Sequence, residues 1–121
     1  MVGWFEIPVE NMERAQKFYE KIFGITIAIH DLGGFKMGWL PMNPNNKGAT
    51  GSLVQHEMYT PSDTDGVLIY FSCNDVADEL GRVEAAGGAI IRKKTEIGGG
   101  HGFMALFRDT EGNRIALHSQ K

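Results

Sequence analysis

An α+β fold of two tandem βαβββ modules, with a cleft between them, is what the patterning of this chain predicts. The chain repeats itself: Trp4-Phe5-Glu6-Ile7-Pro8-Val9-Glu10-Asn11 returns as Leu68-Ile69-Tyr70-Phe71-Ser72-Cys73-Asn74-Asp75. The same offset places Gly24 on Gly88 and Gly48 on Gly112, and Gly34-Phe35-Lys36-Met37 recurs as Gly102-Phe103-Met104-Ala105 after a slightly longer loop. Each half then reads strand, helix and three strands. Half-sheets that cannot each close a core pack against one another, and the cleft between them becomes the default site. The modules are expected at 1–60 and 67–121, joined by a linker at 61–66, within one domain.

In the first half, Val2 to Val9 is short, apolar and bounded by Pro8, so it reads as a strand. Asn11 can cap a helix by accepting from the free N–H groups of its first turn. Met12, Ala15, Phe18, Tyr19, Ile22 and Phe23 then fall on one helical face. Gly24 ends that helix, because a C′ position favours the left-handed conformation that glycine adopts freely. Strands are expected at Ile25–His30, Phe35–Leu40 and about Ala49–Gln55, with Pro41 to Lys47 as a loop.

The second half follows the turn-rich stretch Pro61 to Gly66. Val67 to Cys73 is its leading strand, and Asn74 or Asp75 caps a helix running to about Ala86. Val76, Leu80 and Val83 point inward, and Gly87-Gly88 terminates the helix. Ala89–Ile97, Phe103–Arg108 and Arg114–Ser119 complete the repeat. Gly98-Gly99-Gly100-His101-Gly102 follows no strand-to-helix junction, so it reads as a loop over the cleft rather than a phosphate cradle.

Composition narrows the function classes. Within 121 residues, 42% are hydrophobic and 22% charged, ordinary values for a globular domain. The net charge of −3 and the lack of any Lys/Arg run argue against nucleic acid or anionic lipid as a partner. No apolar stretch is long enough to span a bilayer, and the N-terminus lacks a signal-peptide layout, so a cytoplasmic location is expected. The single Cys73 excludes an internal disulfide and a Cys-rich zinc site, and its place at the end of an apolar run reads as a buried structural thiol.

Two segments resemble a known superfamily. They are Phe5-Glu6-Ile7-Pro8-Val9 leading into Arg14 to Gly24, and Phe107-Arg108-Asp109-Thr110-Glu111-Gly112-Asn113-Arg114-Ile115, which is similar to an Asp-Pro-Asp/Glu-Gly-Asn turn with Thr110 in place of Pro. Together with the element order, they resemble the vicinal oxygen chelate superfamily of glyoxalase I, bleomycin-resistance proteins and extradiol dioxygenases. The resemblance implies the glyoxalase/bleomycin resistance/dioxygenase fold, in which the two modules form a curved mixed sheet around a cleft, and a homodimer. It also implies a divalent metal held by residues of the leading and closing strands. Those positions fall here on Trp4, Leu68, Ala116 and, near it in the repeat, Ser52. Trp, Leu and Ala cannot ligate a divalent ion and Ser does so poorly, so the family's metal site is expected to be absent, no cofactor is predicted, and a divalent metal is disfavoured though left open.

Strand alternation supplies other candidates. If Trp4, Leu68 and Ala116 face the cavity, so do Glu6, Tyr70 and His118 two residues further on. A carboxylate, a phenol and an imidazole could bind a polar ligand, or move protons with Glu6 as base. Structural roles compete: His118 could donate to a backbone carbonyl, and Glu6 could pair with Lys36 or Arg114. The expected wall is aromatic and sulfur-rich, formed by Trp4, Phe35, Met37, Trp39, Phe103 and Tyr59, with His101 as a loop contact. Such residues also fill cores, and a one-residue register slip would exchange the faces. Two functions follow. One is a metal-free binding protein for a small, partly aromatic molecule. The other is a lyase or isomerase using Glu6 as base, with Tyr70 or His118 as electrophilic partner, with or without a divalent metal.

Overall fold

The computed structural model describes residues 1–45 and 48–121; Asn46 and Lys47, in the expected Pro41–Lys47 loop, lie outside the described residues. The elements run β1 (Trp4–Pro8), α1 (Met12–Phe23), β2 (Ala28–Leu32), β3 (Phe35–Trp39), β4 (Thr50–Gln55), β5 (Tyr70–Ser72), α2 (Val76–Val83), β6 (Ala89–Glu96), β7 (Phe103–Arg108) and β8 (Arg114–Ser119). They form two four-stranded mixed sheets, ordered β1-β4-β3-β2 and β5-β8-β7-β6. In each, the leading strand pairs in parallel with the closing strand, and the rest is antiparallel. The duplicated βαβββ plan is therefore present in both halves.

Local chemistry sets the helices. Asn11 is extended and its side chain accepts from the Arg14 amide, while Gly24 takes the left-handed conformation and donates its N–H to the Glu20 carbonyl. Asp75 caps α2 by accepting from the Ala77 amide, so of the two expected caps it is Asp75 that serves. Met12, Ala15, Phe18, Tyr19 and Ile22 on α1, and Val76, Leu80 and Val83 on α2, are buried. They meet Ile7 and Leu53 from the first sheet and Ala105, Phe107, Ile115 and Leu117 from the second in one core cluster. Burying such side chains contributes about 1.5–3 kcal/mol each. A Cβ on Gly38 would come within 2.9 Å of the Met12 sulfur, so the missing side chain at Gly38 lets α1 lie close on β3.

Several expected boundaries shift for identifiable reasons. Ile25 to Ile27 does not pair in the sheet, because the Ile27 amide donates to Glu20 and its carbonyl accepts from Gln16 of α1. β5 is only Tyr70–Ser72, the stretch in register with β8. Helix α2 stops at Val83 rather than Ala86; the Gly88 amide donates back to the Val83 carbonyl and closes the end in turns.

The Asp109–Asn113 turn locks the two modules together. Asp109, buried, accepts from Tyr19 Oη at 2.6 Å and from the Glu111 and Asn113 amides at 2.8 Å each. Asn113 Nδ2 donates to the Pro8 carbonyl at 2.7 Å. Glu111 accepts from the Glu10 and Asn11 amides and from Arg14 Nε at 2.7 Å. Burial alone would raise the Glu111 carboxyl, but the donors from Arg14, Asn11, Thr110 and Glu10 together hold it below the ordinary value. Asp109 shifts the other way: burial outweighs its hydrogen bonds and pushes it up. Apolar contacts parallel these bonds, with Phe5 against Phe71 and Phe18 against Phe107. Among the described residues, no helix is long and apolar enough to cross a membrane.

Candidate functional site

Registered strand partners project their side chains to the same side of a sheet. In the first sheet Glu6 lies beside Ser52, Ser52 beside Trp39, and Trp39 beside Ala28. The next row is Pro8, Val54, Met37 and His30. Trp4 precedes Glu6 and Phe35 precedes Met37 on the same side. This face turns away from α1, and Trp4 and Trp39 on it remain 39% and 37% exposed.

The rings on this face touch one another. Trp4 meets Trp39 edge to face at 6.1 Å between centroids, and the His30 imidazole lies 4.3 Å from Trp39. Beyond β4, His56 stacks on Phe35 at 4.0 Å with an interplanar angle of 10°. Tyr59 stands at 90° to Phe35 and donates its hydroxyl to Glu6 Oε1 at 2.7 Å. That bond, reinforced by slight burial, raises the Tyr59 phenol. The Met58 amide donates to His56 Nδ1, so the neutral ring carries its proton on Nε2. His56 and Tyr59 also line an open groove of about 580 Å³ with Glu10, Lys36 and Glu57. His56 and His30 were given no role by sequence reasoning. Alternation along β2 would have found His30, whereas His56 reaches its place through the bend after β4.

Beneath the rings sits Ser52, fully buried, whose Oγ has no hydrogen-bond partner. A buried hydroxyl without a partner costs about 1–3 kcal/mol unless something bonds it. It is the only such side-chain atom among the described residues.

The second sheet presents a different face. Tyr70, Ala116 and Leu106 form one row, and Ser72, His118 and Met104 the next. Tyr70 is 52% exposed. His118 Nε2 lies 2.7 Å from the His101 carbonyl, so the ring donates there and pins the glycine-rich loop. This is the backbone contact that competed with a cavity role for His118. Phe103 departs from the expectation. It lies beside Ser119 on the opposite side of β7 from Met104 and packs against the core, with Lys94 Nζ 4.6 Å from its ring. Register is the reason: alternation from Ala105 and Phe107, both buried, fixes Phe103 to the helix side.

Trp4, Glu6, Phe35, Met37, Trp39 and Tyr59 thus gather on the first module, and Tyr70, His101 and His118 on the second. No hydrogen bond links Glu6 to Tyr70 or His118 among the described residues. A smaller cavity of about 230 Å³ connects the modules along Glu6, Asp65, Ile69 and Arg114. Lys36 pairs with Glu13 rather than Glu6.

Metal chemistry finds no donor set. Among the described residues no three His, Cys, Asp or Glu side chains converge. Trp4 and Ala116 hold strand positions and Leu68 precedes β5, and none of the three carries a donor atom suited to a divalent ion. Burial, aided by Glu79, pushes the Cys73 thiol up to about 12, which disfavours the thiolate a nucleophile needs.

Comparison with known proteins agrees with the fold. A sequence model described as the Glyoxalase/Bleomycin resistance protein/Dioxygenase superfamily matches residues 1–117. The anthracycline biosynthesis protein DauV of Streptomyces sp. (strain C5) is 27% identical over 95% of this chain and 45% of its own length. DnrV of Streptomyces peucetius, described in the same words, is 26% identical over the same shares. The chain spans about half the length of these curated relatives. Among solved structures, TnmS3, an antibiotic binding protein from Streptomyces sp. CB03234, superposes with a TM-score of 0.66 at 26% identity, covering 98% of this chain and 94% of that one. Glyoxalase I from Zea mays superposes with a TM-score of 0.72 at 22% identity, covering 97% of this chain and 45% of that one, a likeness of fold.

Proposed function

The chain belongs to the glyoxalase/bleomycin resistance protein/dioxygenase superfamily, and within it we propose a metal-independent binding protein for a small, partly aromatic molecule. One observation carries this reading: where the resemblance calls for metal ligands, the first module has Trp4 and Ser52, set in a half-exposed patch of Trp39, His30, Phe35, His56 and Tyr59. Exposed rings at right angles offer both faces and edges to a planar ligand. Relatives described by antibiotic binding and anthracycline biosynthesis support a small-molecule ligand.

The test is tryptophan fluorescence titrated with planar polycyclic compounds, with calorimetry alongside. Saturable quenching that Trp39→Ala weakens about tenfold is expected. Lack of any saturable binder across the panel would remove the proposal. Elemental analysis after gentle purification should give no stoichiometric Zn, Ni, Mn or Fe.

A second reading keeps Glu6 as general base of a lyase or isomerase. It is favoured by the exposed carboxylate and its hydrogen bond to Tyr59, and weakened by the engagement of His118 with a backbone carbonyl. Turnover of a bound carbonyl compound that disappears in Glu6→Gln would support it.

A cytoplasmic homodimer of two-module protomers, with boundaries at 1–60, 61–66 and 67–121, completes the proposal. Tyr70, exposed on the second module, is a surface a second copy would cover. Sedimentation giving only monomer at micromolar concentration would contradict the dimer.

A further inference from the structure

We infer that the molecule held on the first module's aromatic face is a cation, its positive group seated against Glu6 beside the two indoles. This rests on the aromatic-ligand reading above and adds the ligand's charge to it. Glu6 is exposed on the ring-bearing face and, among the described residues, takes one hydrogen bond, from Tyr59 to Oε1. Its Oε2 has no partner and Glu6 joins no ion pair among the described residues. An N⁺–H donor meeting that oxygen makes a charge-assisted bond, about twice the strength of a neutral one.

The surroundings favour the same sign of ligand. Neither row of this face contains Lys or Arg: one is Glu6, Ser52, Trp39 and Ala28, the other Pro8, Val54, Met37 and His30. In the adjoining groove Glu10 and Glu57 stand against Lys36, which Glu13 already holds. On its other side Glu6 borders the smaller cavity, where Asp65 adds a negative charge and Arg114 the one positive group. Indole faces attract cations through their quadrupole, and Trp does so best.

The experiment uses three planar probes of one shape: 9-aminoacridine, cationic at neutral pH; acridine, neutral at pH 8; and acridine-9-carboxylate. Affinities are measured by calorimetry on the full chain at low and high salt. The cation should bind about tenfold more tightly than acridine, and the carboxylate more weakly than either. That ratio should shrink with added salt. In Glu6→Gln, checked by thermal melting to be folded, the cation's advantage over acridine should fall to within about twofold. In Trp39→Ala both probes should weaken. Equal binding of cation and neutral ring, or a preference that survives Glu6→Gln, overturns the charge assignment and leaves the aromatic reading standing. Binding of none of the three, with Trp39→Ala indistinguishable from the parent protein, overturns both.

Discussion

The aromatic face of the first module and the Asp109–Asn113 turn of the second are opposites in almost every physical respect. The face is half-exposed, built from rings on β1 and β3 and after β4, and its one carboxylate has a single donor. The turn is buried and polar, and its two carboxylates are saturated with donors from the turn itself, the loop after β1, and α1. Glu6 among its rings and the acidic pair of the turn could each pass for a catalytic centre on residue type alone. Satisfaction separates them. Carboxylates that have spent their lone pairs on N–H and O–H groups of the same chain hold the fold, whereas the one left half-free among exposed rings can still meet a ligand.

Substitution should pull the two regions apart. Asp109→Ala strips acceptors from Tyr19, Asn113 and two amides, and should cost about 3–5 kcal/mol in chemical denaturation. Ligand affinity of the fraction that stays folded should hold. A loss below about 1 kcal/mol would mean the turn is not the lock described here. Glu111→Gln removes a charged acceptor and should cost about 1–3 kcal/mol at neutral pH.

Glu111 also carries a pH signature. Its folded value lies below its unfolded one, so its stabilisation is present above the ordinary Glu range and is lost as pH falls through the folded value. Asp109, raised by burial, has the opposite sign, and its penalty at neutral pH is relieved as pH drops through its folded value. Urea midpoints followed downward from pH 7 should therefore fall less steeply in Glu111→Gln than in the parent chain.

On the face the expectation reverses. Trp39→Ala should leave stability within about 1 kcal/mol while weakening an aromatic ligand about tenfold. A large drop in melting temperature would make Trp39 a core residue and dissolve the contrast. The smallest effect belongs to Ser52→Ala, which removes an unpartnered hydroxyl and should change stability by less than about 1 kcal/mol, toward greater stability. Clear destabilisation would reveal a bonding partner for Ser52 Oγ.

The sequence made the fold readable because caps and turns act locally. Asn11, Gly24 and Asp75 do what their chemistry requires, and β7 and β8 run over the expected residues. The shared face of Trp4, Glu6, Phe35, Met37 and Trp39 follows from alternation alone. What stayed hidden depends on tertiary choices. Ile25 to Ile27 could have entered the sheet, yet Gln16 and Glu20 offer that backbone nearer partners. Phe103 reads equally well on either side of its strand until the buried Ala105 and Phe107 decide. His56 reaches Phe35 only through a bend that no periodicity encodes.

The bonds from Asp109, Glu111 and Asn113 to Tyr19, Arg14 and Pro8 tie residues about a hundred positions apart, and Arg82 adds another by donating to the Ile22 carbonyl. The peptide between the halves is thus a tether and not the glue. Nicked within 61–66, the two pieces have every reason to remain a single particle, as a split protein does when its fragments find each other again.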